Sequence, residues 1–362
     1  MRVLMLVKDS EMGGVGSNVA SLAKGLQERK KAEVVIGISE GECIEGMLKG
    51  YDNHIIDFRS KNPFIILKNY QKILNLVREY HIEIIHAQNR IPALYAAVIC
   101  FFNKKVRYIW SNHLVPIPSG LKYRLATKYG SCAVAEGISG EQMLINDFKI
   151  PKEKVEVINL GIDLSKFVKT SVEEQNELKK YWKIKKTDKV ILLYGRLNIV
   201  KGHMFLLDAL DKTENKRDFK IIFPGENEEY KVEILEKAKK YGFEKNIIFP
   251  GYIKGRDYLS ISDLMVLPSS TEGFGIVNVE SFCLDVPVIR TKTGGYEDMK
   301  DLVFGVKYGD IYALSNLLRK FFDEDECFKE RARIAKENVG RFSLERMTDK
   351  YYKVYQSALM GR

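Results

Sequence analysis

Short apolar runs, mostly rich in β-branched residues, alternate along this chain with longer segments whose apolar positions recur three and four residues apart. Val3–Val7, Glu33–Ile38, Ile82–His86, Val106–Trp110, Cys132–Glu136 and Val155–Ile158 are runs of the first kind. Between them, Asn18–Gln27, Leu67–Tyr80, Pro92–Phe102, Leu121–Lys128 and Gly140–Phe148 carry the helical spacing. Strand alternating with helix predicts a parallel sheet with helices on both faces. The alternation pauses over Asp163–Thr187, which is dense in Lys and Glu and poor in large apolar residues. It then restarts, with strands at Val190–Tyr194, Phe219–Phe223, Asn246–Phe249, Leu264–Leu267 and Val286–Ile289. Helical patterns lie at Met204–Leu210, Glu228–Tyr241, Ile276–Cys283 and Ile311–Phe322. At the end, Ser343 is a good N-cap, and Met347, Tyr351, Val354, Tyr355 and Leu359 fall on one stripe, which predicts a long amphipathic helix.

The expected architecture is α/β, with two Rossmann-like, doubly wound domains facing a cleft. The N-terminal domain is placed at 1–165, a linker at 166–187 and the C-terminal domain at 188–342, with the helix at 343–362 packing back on the first domain. A chain of 362 residues is too long for one ordinary core, which agrees with two domains. In sheets of this kind ligands bind beyond the carboxyl ends of the strands, so the strand ends are where chemistry is sought.

Composition narrows the class. With 45% hydrophobic and 29% charged residues the chain reads as soluble and globular. No run approaches the ~20 apolar residues that span a bilayer, and Met1–Lys8 reads as a first strand and not as a secretory signal. The five cysteines are scattered without C-x-x-C spacing, which points to a reducing cytoplasm and away from a disulfide framework or structural zinc. The formal net charge is +10, and residues 84–135 hold Arg90, Lys104, Lys105, Arg107, Lys122, Arg124 and Lys128 without one Asp or Glu. Such asymmetry implies an acidic partner: nucleic acid, an anionic membrane or a phosphorylated substrate.

Four stretches carry candidate chemistry. Ser269-Ser270-Thr271-Glu272-Gly273-Phe274-Gly275-Ile276 breaks the pattern after the strand at Leu264–Leu267 and opens a helix that contains Glu280. Glu272 then stands at the strand's carboxyl end, Glu280 lies roughly 12 Å further along the helix, and the amides of Gly273 to Ile276 are free to meet an anion. Gly195-Arg196-Leu197-Asn198-Ile199-Val200-Lys201 ends the first strand of the second domain and offers two cations to a diphosphate. Gly13, Gly14 and Gly16 follow the first strand. Their distance from it and the Val19 in place of a third glycine fit a phosphate or sugar better than a dinucleotide. His113 ends the strand Val106–Trp110, where an imidazole can meet a substrate hydroxyl. No histidine, cysteine or acidic cluster has metal-ligand spacing, and Asp323-Glu324-Asp325 reads as a solvated turn, so no metal is expected.

Taken in order, these motifs resemble the retaining GT-B glycosyltransferases of glycosyltransferase family 4, and the resemblance covers nearly the whole chain. It implies a transfer from a nucleotide-diphosphate sugar to an acceptor hydroxyl with retention, and needs no cofactor. By the same resemblance Arg196 and Lys201 neutralise the leaving diphosphate, Glu280 binds the ribose hydroxyls, and Glu272 with the amides after it holds the donor sugar. His113 touches that sugar, the glycine loop approaches the phosphate, and the base lies at Gly251-Tyr252-Ile253. Pro224-Gly225-Glu226-Asn227 departs from the Gly-x-Gly turn that many relatives carry.

The basic stretch is expected to dock on an anionic membrane through Lys104, Lys105, Arg107, Lys122, Arg124 and Lys128, with Leu114–Tyr129 at the headgroups. That places the protein in the cytoplasm at the inner face of a membrane, with a lipid-linked glycan as acceptor and no nucleic acid expected as partner, since no nucleic-acid motif is present. No pattern specifies an oligomeric state. An NAD-dependent oxidoreductase, a sugar-nucleotide epimerase or phosphorylase, and a non-catalytic nucleic-acid binder stay open on the residues alone.

Overall fold

The computed structural model describes all residues except 9–13, 42–45, 47, 114–115, 215–217, 253, 325 and 362. It divides into two compact units, one formed by 1–163 with 342–362 and the other by 164–341.

The first unit holds a seven-stranded sheet in the order β3-β2-β1-β4-β5-β6-β7. Its strands are β1 Arg2–Val7, β2 Glu33–Ile38, β3 Asp52–Ile55, β4 Ile84–Ala87, β5 Arg107–Asn112, β6 Ala133–Ala135 and β7 Val155–Val157. All pair in parallel, and the order reverses between β1 and β4. β1 is buried on both faces, which is why it reads as an unbroken apolar run. Val3, Met5 and Val7 pack with Leu22 and Leu26 of the helix Gly14–Glu28 and with Met347 and Tyr355 of the helix Leu344–Leu359. Leu4 and Leu6, pointing the other way, pack with Ile73 and Val77 of the helix Pro63–Glu79 and with Tyr95 and Ile99 of the helix Arg90–Phe102. The last helix lies close against Gly14–Glu28, since a Cβ on Gly25 would stand 2.1 Å from Oγ1 of Thr348. Ser343 caps it by accepting from the Arg346 amide.

The second unit repeats the plan with six strands, ordered β10-β9-β8-β11-β12-β13. These are β8 Lys189–Leu192, β9 Phe219–Ile222, β10 Ile247–Ile248, β11 Leu264–Leu267, β12 Val288–Thr291 and β13 Phe304–Val306. The order reverses between β8 and β11, which pair in parallel through Leu264 with Ile191 and Met265 with Leu192. Segment 166–187, expected as a linker, belongs to this unit. It holds the helix Val172–Tyr181, started by a capping box between Ser171 and Glu174. The twelfth strand begins two residues later than the apolar pattern indicates, because Pro287 has no N–H to give the ladder, and it runs on through Arg290 and Thr291. Among the described residues no helix is long and apolar enough to cross a membrane.

Candidate functional site

In the second unit the candidate residues gather at the reversal of strand order, where β8 and β11 end side by side. Asn198 caps the short 3-10 turn Ile199–Lys201 by accepting from the Lys201 amide at 3.2 Å. Gly202 follows with φ +77°, and a Cβ there would lie 2.1 Å from the Pro268 carbonyl, so only glycine lets this turn sit on the end of β11. The Ser270 amide fastens the two loops by donating to the Val200 carbonyl at 2.8 Å. Across that junction Lys201 Nζ meets Glu272 Oε2 at 2.8 Å, although 71 residues separate them. The aliphatic stem of Lys201 crosses Gly195, where a Cβ would approach it to 3.2 Å.

Glu272 is held from three sides, with Ser269 Oγ donating to Oε2 at 3.1 Å and its neighbour's amide, Gly273 N–H, reaching Oε1 at 3.3 Å. Gly275, at φ +79°, turns the chain into the helix Ile276–Cys283, where the Asn278 amide donates to the Gly275 carbonyl at 3.0 Å and the amides of Ile276 and Val277 open the helix. Arg196 is exposed beside this site and makes none of the hydrogen bonds or ion pairs among the described residues. Its backbone is braced by the turn at Gly225, where a Cβ would lie 3.4 Å from the Arg196 Cα. Lys201 and Glu272 thus engage each other, while Arg196 makes no such bond among the described residues.

Glu280 differs in kind. Part of the residue is open, yet its Oε2 is sealed from solvent and has no hydrogen-bond partner among the described residues. Burial pushes its carboxyl up to about 7. Tyr194, which follows β8, lies against the start of the helix Gly255–Ser260, with Oη 2.5 Å from where a Cβ on Gly255 would stand. Burial and then the nearby Glu280 raise that phenol to about 12, so it stays protonated. Ile253, the expected base contact, lies outside the described residues.

In the first unit Gly14 opens the helix Gly14–Glu28 and Gly16 is buried in its first turn, while Gly13 lies outside the described residues. His113 follows β5 and is almost fully buried. Its Nδ1 is hydrogen-bonded to Glu136 Oε1, and its Nε2 to Gln88 Oε1 at 2.8 Å. Asn18 Nδ2 donates to the same Glu136 oxygen at 3.2 Å. Both nitrogens of the imidazole are thus engaged within the protein. A second buried chain runs below, in which His86 Nδ1 meets Tyr355 Oη at 2.8 Å and Nε2 meets Ser111 Oγ at 2.7 Å. Ser111 Oγ in turn meets Tyr351 Oη at 3.2 Å, so the last helix supplies two hydroxyls to the interior of the first sheet. Desolvation first, then the charge of His113, hold His86 down to about 3, so its ring is neutral. Replacing Tyr355 by Phe strands His86 Nδ1 and is expected to cost about 1–3 kcal/mol of stability. Denaturant melts against the exposed control Tyr312→Phe check it, and equal midpoints contradict it.

The six cations expected at a membrane divide into two groups. Lys104, Lys105 and Arg107 precede or open β5, whereas Lys122, Arg124 and Lys128 follow it. Between them the outer face of the helix Arg90–Phe102 exposes Ile91, Leu94, Val98, Phe101 and Phe102, a continuous apolar stripe at helical spacing. Arg90 begins that helix and lies 5.1 Å over the Tyr123 ring, and Lys104 beyond its end lies 4.7 Å over Phe101. The helix Leu121–Ala126 buries none of its residues, with Leu121 and Leu125 both exposed. Leu114, expected to begin this surface, lies outside the described residues.

Sequence reasoning did not single out Asn18, Gln88, Glu136, Tyr194 or Arg290. Glu136 did leave a signal, as the acid that ends the long acid-free stretch at a strand's carboxyl end. Among the described residues no group of three or more His, Cys, Asp or Glu side chains is arranged to hold a metal ion.

Comparison with known proteins bears on both units. Residues 12–166 match the family described as Glycosyltransferase Family 4, and residues 174–339 match the one described as Glycosyl transferases group 1. N-acetyl-alpha-D-glucosaminyl L-malate synthase of Bacillus anthracis is 22% identical over 80% of this chain and 78% of its own length. Alpha-monoglucosyldiacylglycerol synthase of Streptococcus pneumoniae is 22% identical over 83% of this chain and 72% of its own. An Anabaena protein solved in complex with UDP and glucose superimposes with a TM-score of 0.84 at 20% identity, covering 99% of this chain and all of that one.

Proposed function

The chain belongs to the family 4 glycosyltransferases and has their GT-B fold. On that premise we propose that it moves a sugar from a nucleotide-diphosphate donor to an acceptor hydroxyl, with retention and without a metal. The observation that carries the reading is the Lys201–Glu272 pair at the end of β8 and β11, with the sealed, unpartnered carboxylate of Glu280 on the helix that follows. Departure of the sugar leaves negative charge on the diphosphate, and fixed cations and amides stabilise that charge as it develops. Lys201 turns from Glu272 to the diphosphate, Arg196 joins it from the open side, and the released Glu272 accepts from sugar hydroxyls. Glu280 accepts from the ribose diol, which gives its buried oxygen the donors it lacks. The Anabaena neighbour solved with UDP and glucose supports a nucleotide of this kind.

Calorimetry with UDP, GDP and ADP tests the division of labour. Glu280→Gln is expected to weaken binding of the preferred nucleotide, while Glu272→Gln leaves it near wild type and slows turnover of the donor sugar. Equal loss of affinity in both variants contradicts the assignment. Activity is expected to persist in EDTA, since Lys201 and Arg196 do the neutralising. Complete loss, restored by Mg²⁺ or Mn²⁺, overturns the metal-free reading.

We further place the protein at an anionic membrane, working on a lipid-linked glycan acceptor at the inner face. The exposed stripe of the helix Arg90–Phe102, with cations beyond both ends, suits an apolar face entering lipid while its rim meets anionic headgroups. The Streptococcus pneumoniae relative, named for a glycolipid product, supports an acceptor of this class. Flotation with vesicles checks it: binding to anionic but not to neutral vesicles, weakening as salt rises, is expected. Retention of binding in both the Phe101→Asp, Phe102→Asp variant and the Lys122→Glu, Arg124→Glu, Lys128→Glu variant contradicts this surface.

A further inference from the structure

His113 and Glu136 are brought together by the register of two neighbouring strands. Asn112 at the end of β5 pairs with Ala135 at the end of β6, so the next residue on each strand stands beside the other at the carboxyl edge of the sheet. Both side chains are buried, and His113 Nδ1 meets Glu136 Oε1. The Asn18 amide donates to the same oxygen at 3.2 Å. Among the described residues no lysine or arginine forms an ion pair with Glu136, so its charge rests on the imidazole and that amide. A buried carboxylate is costly unless it is paired and hydrogen-bonded. A glutamine at 136 would hold the ring at a lower cost, so packing alone does not account for the charge.

An ionised carboxylate only accepts, so Nδ1 carries a proton. Turning the ring over would put carbon in place of both nitrogens and break both of its bonds, which fixes the imidazole in one orientation. Nε2, the other nitrogen, faces Gln88 Oε1 at 2.8 Å. Gln88 is 1% exposed, and its amide nitrogen has no hydrogen-bond partner among the described residues. An orphaned buried donor is uncommon in folded proteins, and it marks the Nε2 end of the ring as the end short of a partner. The second buried histidine of this sheet differs. His86 lies inside β4, and its two nitrogens meet the hydroxyls of Tyr355 and Ser111. A hydroxyl both donates and accepts, so it holds a ring without deciding where the proton sits.

We propose that Glu136 is a positioning residue: it fixes a proton of His113 on Nδ1, so that Nε2 and the orphaned Gln88 amide beside it meet a hydroxyl of the transferred sugar. This rests on the reading, implied by the family, that His113 contacts the donor sugar. Glu136 itself does not touch the sugar. It acts through the ring, as a carboxylate orients the imidazole of a hydrolase triad.

Two measurements test it. Long-range proton–nitrogen NMR spectra report which ring nitrogen is protonated, and with five histidines in the chain the signal that disappears in His113→Ala identifies this ring. Nδ1 is expected to be protonated near neutral pH, and an unprotonated Nδ1 overturns the proposal. The second is release of nucleoside diphosphate from the UDP-, GDP- or ADP-sugar that the wild type hydrolyses. Glu136→Gln, which keeps the shape and loses the charge, is expected to slow release about tenfold or more, with affinity for the free nucleoside diphosphate unchanged. In a His113→Ala background the same substitution is expected to cost nothing further, because residues that act through one another are not additive. Should Glu136→Gln fail to fold, Glu136→Asp, which shortens the reach of the charge, takes its place. Wild-type release in the folded variant, an equal loss in both backgrounds, or a loss of nucleoside diphosphate affinity makes Glu136 merely structural and overturns the proposal. If His113→Ala releases at the wild-type rate, the sugar contact of His113 fails. If the wild type hydrolyses no sugar nucleotide, the transfer reading itself fails, and this proposal falls with either.

Discussion

Replacing Lys201 by alanine is expected to lower turnover by about 10²–10³ while the protein stays folded. The ammonium is held at the end of β8 by a stem laid across Gly195 and by the capped turn that Asn198 begins. It is therefore already in place when leaving-group charge appears, which is the condition for a large effect on rate. Its loss leaves Glu272 with Ser269 Oγ and the Gly273 amide, so the loop keeps two of its three supports. The pair is largely shielded, its side chains 18% and 14% exposed, and removing one partner leaves the Glu272 charge less compensated, so a lower melting temperature is expected beside the loss of rate. Arg196→Ala is expected to act in the same direction, with a smaller cost in stability because the residue is exposed and unengaged. Initial rates at saturating donor, beside melting curves of the same preparations, check both. Wild-type rates in either variant remove that cation from the mechanism.

The second large effect is on nucleotide affinity and its pH dependence. Glu280 carries a carboxyl raised to about 7 by burial, with one oxygen sealed and unpartnered. A ribose diol donates to the ionised form, so binding selects the carboxylate and releases the proton. Affinity should then rise about tenfold from pH 6 to pH 8 and level off above. Calorimetry in two buffers of different ionisation enthalpy should show a proton leaving as nucleotide binds near neutrality. Stability of the empty protein runs the other way. A carboxyl raised in the folded state contributes stability that is complete below its ordinary value of 4.5 and is lost as pH rises through about 7. Glu280→Gln should flatten both profiles and bind nucleotide weakly at every pH. A pH profile of affinity that is unchanged in Glu280→Gln removes this residue from the ribose.

Much of this was legible in the residues, and what was not has physical causes. β1 and β11 declare themselves because both faces are buried and every position after Arg2 in the first, and every position in the second, is apolar. β3 does not, since Asp52–Ile55 is an edge strand with both ends exposed and no apolar run. The helix Glu326–Asn338 was overlooked because it buries only Phe328, Ala332 and Ala335 among many charges. In the second unit Lys201 and Glu272 could be found because each stands where a strand pattern stops and glycines begin, and Glu280 because it lies two turns along the helix that those glycines open. Arg290 could not, because a charged residue at a strand's end reads as surface and nothing local tells that the Phe274 and Gly294 carbonyls will close over it. The surroundings of His113 were equally hidden. Asn18, Gln88 and Glu136 are far apart in the chain and are brought to one sheet edge only by the order in which the strands are wound. The membrane surface was half legible: the cations could be counted, but helical spacing over Pro92–Phe102 does not tell which apolar positions stay exposed.

The central claim, a sugar transfer that leaves a nucleoside diphosphate at the Lys201–Glu272 edge, is tested most directly by a donor screen. Purified protein is incubated with UDP-, GDP- and ADP-sugars in EDTA without acceptor, and release of nucleoside diphosphate is followed beside the Lys201→Ala variant. Slow release from donors of one base, abolished in Lys201→Ala, is the predicted result. No release or binding of any sugar nucleotide, or release that Lys201→Ala matches, contradicts it.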